Sequence, residues 1–320
     1  MLPFHKVAES DFLEVNQMII DQLHSEVDLV ENIGEYIVEG GGKRLRPLVV
    51  LLAALSCGYT GKDHIKLASV IEFIHTATLL HDDVLDTSEL RRGRPTANAK
   101  WGNSPTILVG DFLYSRAFQI LVQLGHMPIM KLLADTTNAI AEGEVQQLIN
   151  AGDPEVSEQN YLSVIHKKTA ILFEAATAGG ALIANQPNDK VQALASYGRH
   201  LGTVFQLQDD VLDYTGDAEM MGKNIGDDLA EGKPTLPLIF AMREADQDSA
   251  ELIRNAIKNC DSTNIDKIVD IVQSCGGLSY TRSLAARESD AAKSALINLP
   301  ESPYKQALVD LADFALNRSF

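Results

Sequence analysis

Two short stretches hold the residues best suited to chemistry. Asp82-Asp-Val-Leu-Asp86 closes a run in which Ile71, Ile74, Leu79 and Leu80 recur at helical spacing. On a helix, Asp82 and Asp86 stand one turn apart on the same face. Like charges at that spacing repel, and more strongly if the face turns away from water. Cations between the carboxylates would relieve the repulsion. All-oxygen donors with room for water and phosphate oxygens suit Mg²⁺ better than zinc. A solvated acidic helix end explains one such face equally well. The pattern returns, however, well over a hundred residues later as Asp209-Asp-Val-Leu-Asp213, again in an apolar setting. Two such faces, one with Asp82, Asp83 and Asp86 and the other with Asp209, Asp210 and Asp213, predict the walls of one multi-metal site.

Metals in such a site would serve a diphosphate, which becomes a good leaving group once cations stabilise it. Lys43, Arg44 and Arg46 follow Gly40-Gly-Gly42. They either complement a helix C-terminal dipole or flank a backbone that glycines bring close to an anion. Arg91 and Arg92 lie just past Asp86, where two guanidinium forks suit bidentate diphosphate recognition. Solvated loop charges are the alternative for them. His75, two turns before Asp82 on an apolar helix, reads by itself as a core histidine. Lys168, Lys223 and Lys233 are weak signals singly. The polar stretch from Thr215 to Pro237, which holds the last two with Asp227 and Asp228, is long enough to predict a lid.

These residues need a scaffold. The chain has 320 residues, with 45% hydrophobic and 22% charged content, ordinary for a globular protein. A formal net charge of −17 argues against nonspecific nucleic-acid binding, which needs a basic footprint. It also means that an anionic substrate needs bound divalent cations and well-placed basic side chains. Three cysteines without metal-ligand spacing predict a reduced, cytoplasmic setting. The first twenty residues show no signal or transit pattern, and no run of eighteen uncharged apolar residues predicts a membrane span. Apolar spacing predicts one long helix over 11–38, a buried helix around 48–55, and helices over 107–124, 128–149, 161–184 and 191–213. Amphipathic helices follow to the end, and period-two strand patterns are nearly absent. The expectation is one all-α domain, an antiparallel helical bundle over residues 1–320 with a central active-site cavity.

Taken together, His75-Thr-Ala-Thr-Leu-Leu-His-Asp-Asp-Val-Leu-Asp86, Arg91-Arg-Gly93, Gly41-Gly-Lys-Arg-Leu-Arg-Pro47, Lys168-Thr169, Phe205-Gln-Leu-Gln-Asp-Asp-Val-Leu-Asp213 and Gly222-Lys-Asn-Ile-Gly-Asp-Asp228 resemble the trans-isoprenyl diphosphate synthases, in particular their long-chain branch. The resemblance covers roughly the whole chain. It implies a homodimer that condenses isopentenyl diphosphate head-to-tail onto an allylic diphosphate such as farnesyl diphosphate, with about three Mg²⁺ ions per active site. It further implies that Asp82 and Asp86 hold Mg²⁺ on the allylic diphosphate, and that Asp209 with Asp213 holds another. Arg91, Lys168, Thr169, Gln206, Lys223 and Lys233 would contact that diphosphate. Lys43, Arg46, His75 and Arg92 would hold isopentenyl diphosphate, which makes His75 a ligand. The released diphosphate would act as base. Gln208 departs from the family, which usually has an aliphatic residue there.

The resemblance points to an octaprenyl-type product for a quinone side chain, with a solanesyl or geranylgeranyl synthase as the neighbouring reading. One turn before Asp82 stand Ala77 and Thr78, both small, and the same face runs back through Ile74, Ile71, Val70 and Leu67. From Leu67 to Asp82 the helix spans about 22 Å, enough for an apolar furrow that houses a growing tail. A terpene cyclase would not need the basic acceptor site, and a non-catalytic partner subunit would carry degenerate aspartate motifs.

Overall fold

A computed structural model describes residues 3–215 and 225–318. The described residues are 79% helical, as the apolar spacing predicts. Its helices are α1 (Glu9–Gln22), α2 (Asp28–Glu39), α3 (Leu45–Ser56), α4 (Asp63–Leu85), α5 (Ala97–Trp101), α6 (Asn103–Leu124), α7 (Met127–Asn150), α8 (Glu158–Ile165), α9 (Ile171–Ile183), α10 (Asn188–Thr215), α11 (Asp227–Ala230), α12 (Leu236–Glu244), α13 (Gln247–Asn259), α14 (Ile265–Ser274), α15 (Gly277–Ala295) and α16 (Pro303–Asn317). The one sheet among the described residues is a hairpin, β1 (Leu90–Arg91) with β2 (Arg94–Pro95), paired Leu90 to Pro95 and Arg91 to Arg94. The chain divides into two compact units. The first comprises Met1–Thr137, Leu172–Gly198 and Lys293–Leu311; the second comprises Asn138–Ile171, Arg199–Ala292 and Ala312–Phe320.

In the first unit α4 packs against α1, α3 and α6. Leu48 to Ala54 of α3 and Leu67, Val70, Ile71 and Ile74 of α4 are fully shielded. Each large apolar side chain buried this way contributes roughly 1.5–3 kcal/mol. Two helices replace the single one expected over 11–38. Between them the Glu31 carboxylate accepts from the Ser25 amide at 2.9 Å and pairs with His24 Nδ1 at 2.6 Å, so a side chain satisfies the turn that apolar spacing cannot register. One helix, α6, is long and apolar enough to cross a membrane by length and composition, with mean hydropathy 1.2. It carries Asp111 and Arg116, buries Val109, Leu113, Ala117 and Ile120 in this unit, and leaves Ile107, Leu108 and Val122 exposed.

In the second unit, Tyr214, Leu229, Leu238, Ile253, Ile268 and Val272 form one apolar cluster, and Tyr161, Ile165, Leu207, Leu236 and Leu284 form another. The helix expected over 161–184 is interrupted by a π-turn, His166–Ala170. Gly143 of α7 lies against that turn: a Cβ there would stand 2.8 Å from Lys167 Cβ and 3.0 Å from the Lys168 amide nitrogen. Such turns commonly mark functional positions because they re-aim a side chain.

Candidate active site

In the first unit the basic loop and the first aspartate motif are placed by backbone that only certain residues allow. Gly41 and Gly42 have φ of 73° and 143°, and Arg44 has φ of 45°, so the chain turns sharply from α2 into α3. The β1–β2 turn is Arg92-Gly93, both at positive φ, the two-residue geometry that suits a hairpin. Arg92 Nη1 donates to the Gly41 carbonyl, and a Cβ on Gly42 would meet that nitrogen at 2.6 Å. The hairpin is held by Tyr36, whose hydroxyl donates to Pro95 O at 2.7 Å and whose ring lies 4.4 Å beneath Arg94 Cζ. A cleft opens here, lined by Tyr36, Gly40, Leu80, Asp83, Arg91 and Arg92.

The three aspartates of this motif divide. Asp82 and Asp86 are half-buried, one turn apart, with the Asp86 amide donating to Asp82 O at 2.8 Å as α4 ends. Asp83 turns inward at 2% exposure, where Oδ1 accepts from Arg91 Nε at 2.8 Å and Nη2 at 2.6 Å. Arg91 is therefore oriented by Asp83. Two turns earlier His75 Nε2 lies 3.0 Å from Arg46 Nη1. A guanidinium only donates, so Nε2 accepts and the imidazole is neutral with its proton on Nδ1. Loss of water, then Arg46, Arg92 and Arg91, hold its pKa well below the usual histidine value. Arg46 also stacks on Phe173, 4.5 Å from the ring centre. Lys43 is half-buried, and its carbonyl lies 3.0 Å from His5 Nε2.

The residue reading passed over Glu72, one turn before His75. Its Oε2 is shielded and makes no hydrogen bond among the described residues. Its carboxyl is raised by loss of water against the opposing pull of Arg44, Arg46 and Arg92. A buried-side glutamate one turn from a candidate ligand on the same face was the available signal.

In the second unit a polar chain runs behind Asp209. Tyr161 donates to Asp210 Oδ2, Gln206 Nε2 donates to Asp210 Oδ1 at 2.9 Å, and Thr169 Oγ1 donates to Gln206 Oε1 at 2.9 Å. Asp210 is 1% exposed, and burial followed by the charge of Asp228 pushes its pKa up to about 8. Asp213 is also buried, whereas Asp209 has an exposed side chain that pairs with Arg318 Nη2 at 2.6 Å. Lys168 leaves the π-turn toward Glu144, with Nζ 2.7 Å from Oε2. Lys233 pairs with Glu231. Lys223 lies outside the described residues.

Gln208 is buried in this unit and donates to Leu316 O, so this polar side chain has a built partner. Arg318 was invisible to motif reading because it lies more than a hundred positions from Asp209 in a stretch of no distinctive pattern.

The donors fit an ion that keeps part of its water. Among the described residues no three His, Cys, Asp or Glu side chains converge into a closed cage. What α4 offers is a pair of half-buried carboxylates at its end, and α10 offers Asp209 at its surface. Mg²⁺ binds in this way, through one or two carboxylates completed by water and phosphate oxygens.

Comparison with known proteins identifies the family. Residues 27–275 match the family model described as "Polyprenyl synthetase". An octaprenyl diphosphate synthase of Haemophilus influenzae is 52% identical over 316 residues, covering 98% of this chain and 96% of that protein. A polyprenyl synthase of Caulobacter crescentus, solved with calcium and isoprenyl diphosphate, superposes with TM-score 0.96 at 44% identity, covering 99% of this chain and 97% of that one. A decaprenyl diphosphate synthase of Rhodobacter capsulatus does so with TM-score 0.94 at 43% identity, covering 99% and 98%. This chain therefore belongs to the polyprenyl synthetase family and is a prenyltransferase.

Proposed function

We propose that this chain is a long-chain all-trans polyprenyl diphosphate synthase of the octaprenyl type, adding isopentenyl diphosphate to an allylic diphosphate such as farnesyl diphosphate in the cytoplasm for a quinone side chain. One observation carries the reading. A single helix, α4, bears the candidate metal carboxylates at its end and the arginine-bound His75 two turns earlier, about 10 Å away. That separation suits two diphosphates lying side by side.

Asp82, Asp86, Asp209 and Asp213 would hold Mg²⁺ on the allylic diphosphate. When bound, the metal neutralises charge on the departing diphosphate and so assists ionisation. Arg91, fixed by Asp83, and Lys168 with Lys223 and Lys233 bind the same group. As the allylic C1–O bond breaks, its electron pair leaves with diphosphate. Thr169 and Gln206, already linked, orient the allylic end. Lys43, Arg46, Arg92 and neutral His75 hold isopentenyl diphosphate so that its double bond attacks the allylic carbon, forming one C–C bond. The new cation then loses a proton to the released diphosphate.

The tail is proposed to run along α4. Ala77 and Thr78 are small, and Thr78 turns its hydroxyl back to His75 O at 2.8 Å, so the turn before Asp82 carries little side-chain bulk. A homodimer is supported by α6, which exposes Ile107, Leu108 and Val122. The whole chain is proposed to act as one synthase domain. The test is to incubate purified protein with labelled isopentenyl and farnesyl diphosphates, with and without Mg²⁺, and to size the products. Metal-dependent octaprenyl product is expected; no elongation by the isolated protein would point instead to a partner subunit.

A further inference from the structure

The end of the chain is tied to the second aspartate motif by two side chains. Gln208 of α10 donates to Leu316 O of α16. Two residues on, Arg318 Nη2 donates to Phe205 O at 2.6 Å and pairs with Asp209 Oδ1 at 2.6 Å, while its Cζ stacks 4.8 Å over the Phe205 ring. The Arg318 side chain is only 11% exposed although it stands at the chain end. Its Nε is shielded and makes no hydrogen bond among the described residues, so the docking is incomplete.

We propose that Arg318 is a built-in competitor for the metal at Asp209: its guanidinium holds down the affinity of that carboxylate for a divalent cation, and metal loading there releases the C-terminal segment. The inference rests on the reading of Asp209 as a metal ligand. The physical reason is direct. A guanidinium and a dication seek the same lone pairs, and a positive charge left within a few ångströms of the ion repels it, moderated by water because the Asp209 side chain is 57% exposed. The two cations therefore exclude each other at Asp209. The Gln208 bond to Leu316 O keeps the segment close, so release is reversible.

The test uses Mn²⁺ alone, titrated into the full-length protein and followed by electron paramagnetic resonance, with hydrogen exchange over residues 316–318, past the buried body of α16. Arg318→Met, which retains apolar cover for Phe205, is expected to bind Mn²⁺ roughly two- to fivefold tighter, the scale of an ion pair with a largely exposed carboxylate. Arg318→Lys keeps the charge and is expected to stay near wild type. In the wild type, Mn²⁺ should speed exchange in the C-terminal segment; in Arg318→Met exchange should be fast already. Unchanged or weaker Mn²⁺ binding by Arg318→Met, or a segment equally protected with and without metal, overturns the competition. Asp209→Asn separates the two ideas. If it weakens Mn²⁺ binding while Arg318→Met is inert, only the competition fails. If it leaves binding unchanged, the ligand assignment fails and takes the competition with it. Equal thermal midpoints for all variants establish that each is folded.

Discussion

Asp82-Asp-Val-Leu-Asp86 and Asp209-Asp-Val-Leu-Asp213 are identical in sequence, yet their surroundings treat them differently. In the first, the middle carboxylate is buried against a cation and serves to aim Arg91, leaving Asp82 and Asp86 half-buried at a helix end. In the second, the middle carboxylate is buried among a hydroxyl, an amide and the nearby charge of Asp228, and its pKa rises to about 8. The outer Asp209 is paired with a chain-terminal arginine. The same five letters therefore give a carboxylate pair backed by an ion pair in one unit, and a carboxylate backed by a neutral hydrogen-bonded chain in the other. Charge state and partner come from residues outside the motif, some close by, such as Arg91 and Gln206, and some far along the chain, such as Tyr161 and Arg318.

The comparison breaks most visibly at the outer carboxylates. Asp82→Ala is expected to lower kcat/KM about a thousandfold or more, the scale of losing electrostatic stabilisation of a leaving group. A variant retaining most activity would remove Asp82 from the chemistry. The middle positions should differ in stability. Asp83→Asn leaves Arg91 without its counter-charge and should cost about 2–3 kcal/mol, whereas Asp210→Asn replaces a group that already favours its protonated form and should cost under about 1 kcal/mol. Urea midpoints of the two variants measure this directly, and equal losses would erase the distinction.

Product length tests whether α4 also guides the tail. Ala77→Phe is expected to shorten the main product by several isoprene units on reversed-phase chromatography; an unchanged ladder rules out the furrow. The smallest effect concerns pH. His75 has a folded pKa depressed below its unfolded value near 6.5, so its contribution is present above that pH and is lost as pH falls through it. His75→Gln should lose less stability than wild type between about pH 7.5 and pH 5.5, by up to about 1 kcal/mol, in denaturation midpoints. Parallel pH curves would mean that the ring titrates alike in both states.

Much of the fold was legible because helix formation leaves a periodic mark. The spacing of Ile71, Ile74, Leu79 and Leu80 predicts α4, and the apolar run from Leu48 to Leu55 predicts a buried α3. Breaks were less legible. The turn between α1 and α2 depends on Glu31, and the π-turn at His166–Ala170 is matched by Gly143 on another helix. The small hairpin escaped because each of its strands is only two residues long.

For the site, residue types alone determined the broad chemistry. Paired carboxylates one turn apart, arginines nearby and glycines before a basic loop predict an anion bound through divalent metal, because spacing on a helix is a property of sequence. Tertiary structure alone decided which aspartate of each trio turns inward, that His75 is neutral under Arg46, that Gln208 finds the carbonyl of Leu316, and that Arg318 occupies Asp209. A carboxylate's charge and partners depend on which distant side chains exclude water from it, and that distance in space cannot be read from distance along the chain.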